Sequence, residues 1–323
     1  MRYCLGIEST AHTFGAAVVT VDGEILSNEK EMFATLSGGM IPNEVADHHR
    51  KVKDRVIERA LQQAGIDISV VDLVSYSHGP GLPPSLLVGM ECAKELHDKY
   101  GLTVIGANHA LAHLTIGSLV CKVVDPVYVY VSGVNTQVIA LAGNRYRIFG
   151  ETLDVGLGNA LDKFGRAIGL GFPAGPEIEN LAQEGSYVEL PYVVKGMDVS
   201  FAGLVTKAQQ LFSKGVSKED LCYSMQEVCF AMLAEVTERA VAHTEKKDVL
   251  LIGGVAANKR LCTILDVMCT ARKARFHAAP LKYAGDQAAM IAWQGVLNYL
   301  GGKRLETFEF YPHERIDEID VVW

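Results

Sequence analysis

The sequence predicts an α/β protein built from two lobes with the same internal plan, and three observations carry that reading. Residues 3–26, YCLGIESTAHTFGAAVVTVDGEIL, run as apolar strand, polar turn, second apolar strand and then Asp22-Gly23, a dipeptide that closes hairpins between apolar runs. Residues 127–149 repeat the plan about 125 positions later, with VYVYVSG, the turn residues Asn135-Thr136, QVIALAG, Asn144 and RYRIF. Each half then passes from strand through a glycine turn into a helix. The first half does so as VDLVSYS, GPGLPPS and LLVGMECAKELHDKY, the second as DVLLIGG and VAANKRLCTILDVM.

Composition sets the outer bounds. A chain of 323 residues that is 49% hydrophobic can bury a large core and is long enough for two domains. No run of roughly 18 apolar residues goes uninterrupted by charge, and MRYCLGIEST enters a strand with no basic-then-apolar leader. The expectation is a soluble cytoplasmic protein with no membrane association. The cysteines number seven and none forms a CxxC pair. Cys222 and Cys229, like Cys262 and Cys269, are spaced to lie on helix faces as buried reduced thiols rather than zinc ligands. The net charge of −8 leaves only small basic clusters, Arg50, Lys51, Lys53 and Arg55 in one place and Arg272, Lys273 and Arg275 in another. A protein that grips nucleic acid alone needs a basic face for phosphate, so either it does not bind nucleic acid or partners share the task. Composition alone leans to the first.

A glycine turn between strand and helix lets backbone N–H groups approach a phosphate at the positive end of the helix dipole. Two such turns in equivalent places, each preceded by a polar hairpin, point to nucleotide binding. The duplicated plan resembles the actin/Hsp70/sugar-kinase (ASKHA) architecture, in which two ribonuclease-H-like lobes flank a central nucleotide cleft. That likeness implies an N-terminal lobe over 1–123, with a C-terminal helix over 286–323 packing back on it, and a second lobe over 124–285. Kinases of this architecture carry a catalytic or magnesium-binding Asp in the first hairpin. This chain has Glu8 there, in GIEST, so a sugar-kinase reading fits poorly.

After LTVIGA comes NHALAH. Asn108 suits a helix N-cap, and His109 and His113, at i and i+4, would then share one helix face. Two imidazoles so placed can converge on one divalent metal. Spacing alone leaves the pair balanced between a metal site and two partly exposed histidines. A zincin protease would need Glu directly after the first His, where this chain has Ala110, so that reading lacks its general base. A metal on two His needs an oxygen ligand. Asp286, in YAGDQAAM, follows a glycine and is expected to open a helix, as a ligand or as an ordinary N-cap. Tyr130, ending the strand before Ser132-Gly133, offers a phenolate or belongs to the core. His48 and His49 are adjacent and are expected on the solvent side.

Taken together, GIESTAHTFG, GPGLPPSL, NHALAH, VSGVNTQ, LGNALDKFGRAIGLGFPAGPEIE, GMDVSFAGL, LIGGVAANKRL and YAGDQAAMIA resemble the universal tRNA threonylcarbamoyltransferase family (TsaD/Gcp/OSGEP). The similarity is to its archaeal and eukaryotic branch, the catalytic subunit of the KEOPS complex, and covers residues 3–300 or so. The resemblance implies one divalent metal, iron or zinc, on His109, His113 and Asp286, with Tyr130 also able to reach an iron. It implies that Tyr130, Val131, Ser132, Gly133 and Val134 carry the phosphate and carbamoyl region of an adenine-nucleotide ligand, threonylcarbamoyl-AMP or ATP. Asp162 and Glu179 would hold the ribose hydroxyls, Gly175 would allow close backbone approach, and Asn258 would sit near the adenylate beside Gly253 and Gly254.

The implied reaction moves the threonylcarbamoyl group to N6 of the adenosine 3′ of the anticodon in tRNAs reading ANN codons. The implied partners are a small kinase-like ATPase and a small dimerising subunit, with tRNA bound only weakly by the isolated chain. Two alternatives share the fold: a carbamoyltransferase acting on a small-molecule hydroxyl, and a non-enzymatic ATP-binding scaffold. The chain departs from the family pattern at Gly39-Met40-Ile41-Pro42-Asn43-Glu44, at Leu87 where an arginine usually stands, and at Val134 where a smaller residue is usual. The first two changes touch neither the expected metal ligands nor the adenylate contacts and reduce positive charge on the expected tRNA side of the first lobe, while Val134 is a modest steric change beside the ligand.

Overall fold

The computed structural model describes residues 1–34, 41–305 and 307–323. Gly39 and Met40, where the chain departs from the family pattern, lie outside the described residues. In chain order the first elements are β1 (Tyr3–Glu8), β2 (Thr13–Thr20), β3 (Ile25–Met32), α1 (Pro42–Ala64), β4 (Leu73–Gly79), α2 (Pro83–Tyr100), β5 (Thr103–Asn108) and α3 (His109–Cys121). There follow β6 (Val127–Val131), β7 (Thr136–Ala142), β8 (Arg145–Glu151), α4 (Leu157–Ala167), α5 (Gly175–Leu181), the short pair β9 (Val194–Lys195) and β10 (Asp198–Val199), α6 (Ala202–Phe212) and α7 (Lys218–Thr244). The last are β11 (Asp248–Ile252), α8 (Lys259–Ala271), β12 (Arg275–Ala278), α9 (Leu281–Ala284) and α10 (Ala288–Leu300).

The chain divides into two units, residues 1–119 with 286–323 and residues 120–285. The first holds a sheet ordered β3-β2-β1-β4-β5, the second a sheet ordered β8-β7-β6-β11-β12. The two orders correspond strand for strand: three antiparallel strands, then two joined in parallel. The duplication read from the hairpins and glycine turns is therefore present in the fold.

In the first unit β1 is buried on both faces, which is why it reads as a continuous apolar run. Alternation then decides which side chain meets which layer. Leu5 and Ile7, with Phe14, Ala16 and Val18 of β2, pack with Val52 and Val56 of α1 and Ala93 of α2. Cys4, with Ala17 and Val19, packs with Ala288, Ala289, Ala292 and Val296 of α10. Gly6 lies on this second face. A Cβ there would come within 2.4 Å of the Ala288 carbonyl oxygen and 2.5 Å of the Ala292 nitrogen, so α10 rests on β1 at backbone contact. Both α1 and α2 begin with proline in the first turn and end at glycines in the left-handed region, Gly65 and Gly101.

The helix expected over 286–323 is shorter. It stops at Leu300, where Gly301-Gly302 follows and Gly302 takes φ 87°. The rest of the segment returns as an irregular strap along the ends of β4 and β5. The Tyr311 amide donates to the His78 carbonyl at 2.6 Å, and the Glu314 carboxylate accepts from His78 Nε2 and Asn108 Nδ2 at 2.8 Å each.

In the second unit one core joins β6, β7, α4, α7 and α8, with Val127, Val129, Phe164, Met225, Phe230 and Leu265 all buried. Ser217 caps α7, its hydroxyl accepting from the Asp220 amide, and Glu219 and Asp220 complement the helix dipole. All seven cysteines are free thiols, five of them buried. Burial pushes Cys222 and Cys269 up to about 12, so these are packing groups rather than thiolates.

Candidate metal centre

The centre is assembled from three places in the first unit: the end of β1, the start of α3, and the turn before α10. The Asn108 side chain caps α3, accepting from the Leu111 amide at 2.9 Å, as the sequence predicts. His109 and His113 then face one another along the helix, ring centroids 4.8 Å apart and nearly perpendicular. They are not partly exposed: α3 is buried from His109 to Gly117.

Asp286 does not cap α10. Gln287 does, accepting from the Met290 amide, which leaves Asp286 one residue outside the helix. Asp286 Oδ1 lies 3.4 Å from Nε2 of His109 and 3.4 Å from Nε2 of His113. The three donor atoms all fall within 4.8 Å of one another. Ligands about 2.1 Å from a shared tetrahedral ion stand about 3.4 Å apart, so both edges at Asp286 have the length such an ion needs. The donor types and the two edges at Asp286 fit a divalent cation.

Glu8 completes the surroundings. Its carboxylate is fully buried, Oε1 accepting from the Thr10 amide at 2.7 Å and from the Thr10 hydroxyl, Oε2 lying 3.1 Å from His109 Nδ1. Burial alone would pull His109 down, but Glu8 and Asp286 on either side outweigh it and hold the imidazole up at about 10. Burial, reinforced by the neighbouring His109, lowers His113. Asp286 is held well below the usual carboxylate range, burial being overcome by the two imidazoles.

Glu8 and Thr10 are functional neighbours that the sequence reading did not assign to the site. A signal existed: a carboxylate ending the otherwise apolar run YCLGIE has to find donors indoors. His49, expected on the solvent side, is fully buried. Adjacent residues face different sides of α1, and His49 takes the inward side, donating from Nε2 to the Ala11 carbonyl at 2.8 Å.

The remaining expected residues belong to the second unit. Tyr130 is 1% exposed at the end of β6, its hydroxyl accepting from Asn135 Nδ2 at 3.4 Å. Val131 closes the strand, and Ser132 and Gly133 form the turn, their carbonyls accepting from the Gly158 and Asn159 amides at 3.1 and 3.0 Å. Val134 is exposed at that turn. Gly253, at φ 94°, lies against the Val131 carbonyl, which a Cβ would approach to 2.2 Å. Gly254 and Gly175 each border open space. Asn258 caps α8 through the Leu261 amide and donates to Gln226 Oε1 at 2.8 Å. Glu179 Oε1 accepts from the Lys259 amide and Asp162 Oδ1 from the Ala174 amide, each at 2.8 Å. These carboxylates therefore already tie α4, α5 and α8 together.

The repeated sheet order defines the class. Solved structures of ASKHA type are similar in fold, among them Thermococcus kodakarensis HypF (TM-score 0.63, 16% identity, 93% of this chain and 48% of that one). Component A of the Acidaminococcus fermentans (R)-2-hydroxyglutaryl-CoA dehydratase is similar too (TM-score 0.57, 14% identity, 92% of this chain and 98% of that one). At such identities the likeness is one of fold. The sequence goes further. The family model described as TsaD, tRNA N6-adenosine threonylcarbamoyltransferase, matches residues 21–293. A Thermococcus kodakarensis protein of that same name is 48% identical over 99% of both chains. A Methanothermobacter thermautotrophicus relative, described as a probable bifunctional tRNA threonylcarbamoyladenosine biosynthesis protein, is 48% identical over 99% of this chain and 60% of its own length. The chain belongs to the tRNA N6-adenosine threonylcarbamoyltransferase family.

Proposed function

We propose that this chain transfers a threonylcarbamoyl group to N6 of adenosine in tRNA, using a divalent cation held by His109, His113 and Asp286. The observation that carries the metal reading is the pair of 3.4 Å edges from Asp286 Oδ1 to the two imidazole Nε2 atoms. When bound, the ion supplies a Lewis acid and a template for the acyl donor. Two imidazoles and a carboxylate suit iron and zinc alike.

The donor is threonylcarbamoyl-AMP, and the acceptor is the adenosine 3′ of the anticodon in tRNAs reading ANN codons. The N6 amine attacks the carbamoyl carbon, the bond from that carbon to the phosphate oxygen breaks, and AMP departs, so no side-chain nucleophile is needed. Asp162 and Glu179 accept from the ribose hydroxyls, while Gly175, Gly253 and Gly254 leave room for adenylate. The stretch Tyr130, Val131, Ser132, Gly133 and Val134 lies along the phosphate and carbamoyl groups. Asn258 sits near the adenylate at the start of α8, which its side chain caps. A small kinase-like ATPase and a small dimerising subunit complete the working assembly. Family membership and the acidic balance of the chain support that reading. Among the described residues no helix is long and apolar enough to cross a membrane.

The test is His109→Ala in the reconstituted modification assay, read beside metal content. Loss of a metal ligand is expected to lower tRNA modification by about a hundredfold or more and to abolish stoichiometric metal. Unchanged modification by that variant would remove the metal assignment.

A further inference from the structure

A carboxylate buried as completely as Glu8 has to be met by donors. Oε1 receives the Thr10 amide and hydroxyl, and Oε2 faces His109 Nδ1 at 3.1 Å. The opposite nitrogen of the same ring faces Asp286 Oδ1 at 3.4 Å. We infer that Glu8 is a positioning residue, fixing His109 with its proton on Nδ1 so that the Nε2 lone pair is presented to a divalent cation shared with His113 and Asp286. The inference rests on the metal reading of that trio.

The hydrogen-bond directions decide the tautomer. An ionised carboxylate only accepts. The Thr10 hydroxyl, 3.1 Å from Nδ1, spends its proton on Glu8, so it too turns an oxygen lone pair toward the ring. Both neighbours of Nδ1 are acceptors, and the proton of a neutral imidazole belongs there. A carboxylate behind a ligating histidine also raises the basicity of the other nitrogen and locks the ring plane.

Glu8→Gln is the informative change because it is nearly isosteric yet has one acceptor end. If the amide oxygen faces His109, the NH2 group meets the Thr10 amide donor. If it is turned, the NH2 group meets Nδ1, and the ring has to protonate Nε2, the nitrogen needed for metal. Cobalt(II) is the probe, its affinity read by competition with a chelator. Glu8→Gln is expected to weaken cobalt binding about 10- to 100-fold. Thr10→Val removes a donor to Oε1 and an acceptor beside Nδ1 but leaves the Glu8–His109 contact, and is expected to weaken cobalt binding less than Glu8→Gln does. Nitrogen NMR of histidine-labelled, zinc-loaded wild-type protein gives a second readout that needs no variant to fold, and His109 should carry its proton on Nδ1. Wild-type protein that binds neither ion overturns this inference together with the metal reading. Wild-type metal binding with His109 protonated on Nε2, or unchanged cobalt affinity in Glu8→Gln, overturns this inference alone.

Discussion

Buried imidazoles in this chain have different fates according to what stands next to them. His109 is flanked by two carboxylates and becomes more basic, whereas His49 packs 5.6 Å from the Phe14 ring and donates to the Ala11 carbonyl. Burial, only partly offset by that bond, lowers His49 from 6.5 to about 4. The unfolded chain therefore takes up this proton first. The stability contribution is whole above pH 6.5 and is lost as pH falls through about 4, reaching about 3 kcal/mol. Urea titrations of wild type should show midpoints falling across that window. In His49→Gln, which keeps a donor for Ala11 and cannot protonate, the fall should be shallower; an identical slope would remove His49 as its source. The sequence could not rank these histidines. Adjacency separated His48 from His49, but which of them turns inward depends on the phase of α1 against β2, a property of packing.

At the scale of elements, close approach of backbones sets the tolerances. Gly6→Ala would drive a methyl group into the α10 backbone, 2.4 Å from the Ala288 carbonyl oxygen, and is expected to cost about 1–3 kcal/mol. Gly203, early in α6, has nothing within 4 Å of a Cβ, and Gly203→Ala should be neutral or stabilising by about 0.5 kcal/mol. Chemical denaturation of the two variants measures the contrast, and equal losses would show that the β1–α10 contact is not the constraint. The cap of α3 was legible, Asn108 accepting from the Leu111 amide as expected. The length of α10 was misjudged because the glycine pair Gly301-Gly302, a helix stop, was passed over, and the strap beyond it is held by tertiary bonds such as Glu314 to His78. Glu8 was legible as an anomaly in an apolar strand, yet its partner lies 101 residues away and only the fold supplies it.

At the scale of the whole molecule, charge placement bears on tRNA. The two basic clusters noted in the sequence are largely answered by acids. Arg50 pairs with Asp47, Lys53 with Glu95 and Arg55 with Glu31, while Arg272 meets Glu238 and Arg275 meets Asp248. With a net charge of −8 besides, the isolated chain has little to offer a phosphate backbone. Purified chain alone should bind tRNA weakly, losing affinity by about tenfold or more between 50 and 200 mM salt. Tight, salt-insensitive binding in a filter assay would contradict this. Duplication was the most legible large feature, because each copy repeats the same hairpin and glycine turn. The discontinuity of the first unit was expected from the ASKHA likeness and not from local pattern; residues 286–323 group with residues 1–119.

That discontinuity has a consequence in time. On the ribosome, β1 through α3 emerge first, bearing Glu8, His109 and His113. Asp286 and α10, which cover Cys4, Ala17 and Val19, follow only after the entire second unit has been made. Until then the face of the first sheet that α10 covers is bare, and the candidate trio has two members. A chain interrupted before residue 286 holds only two members of the proposed metal trio, and it is expected to bind no metal stoichiometrically.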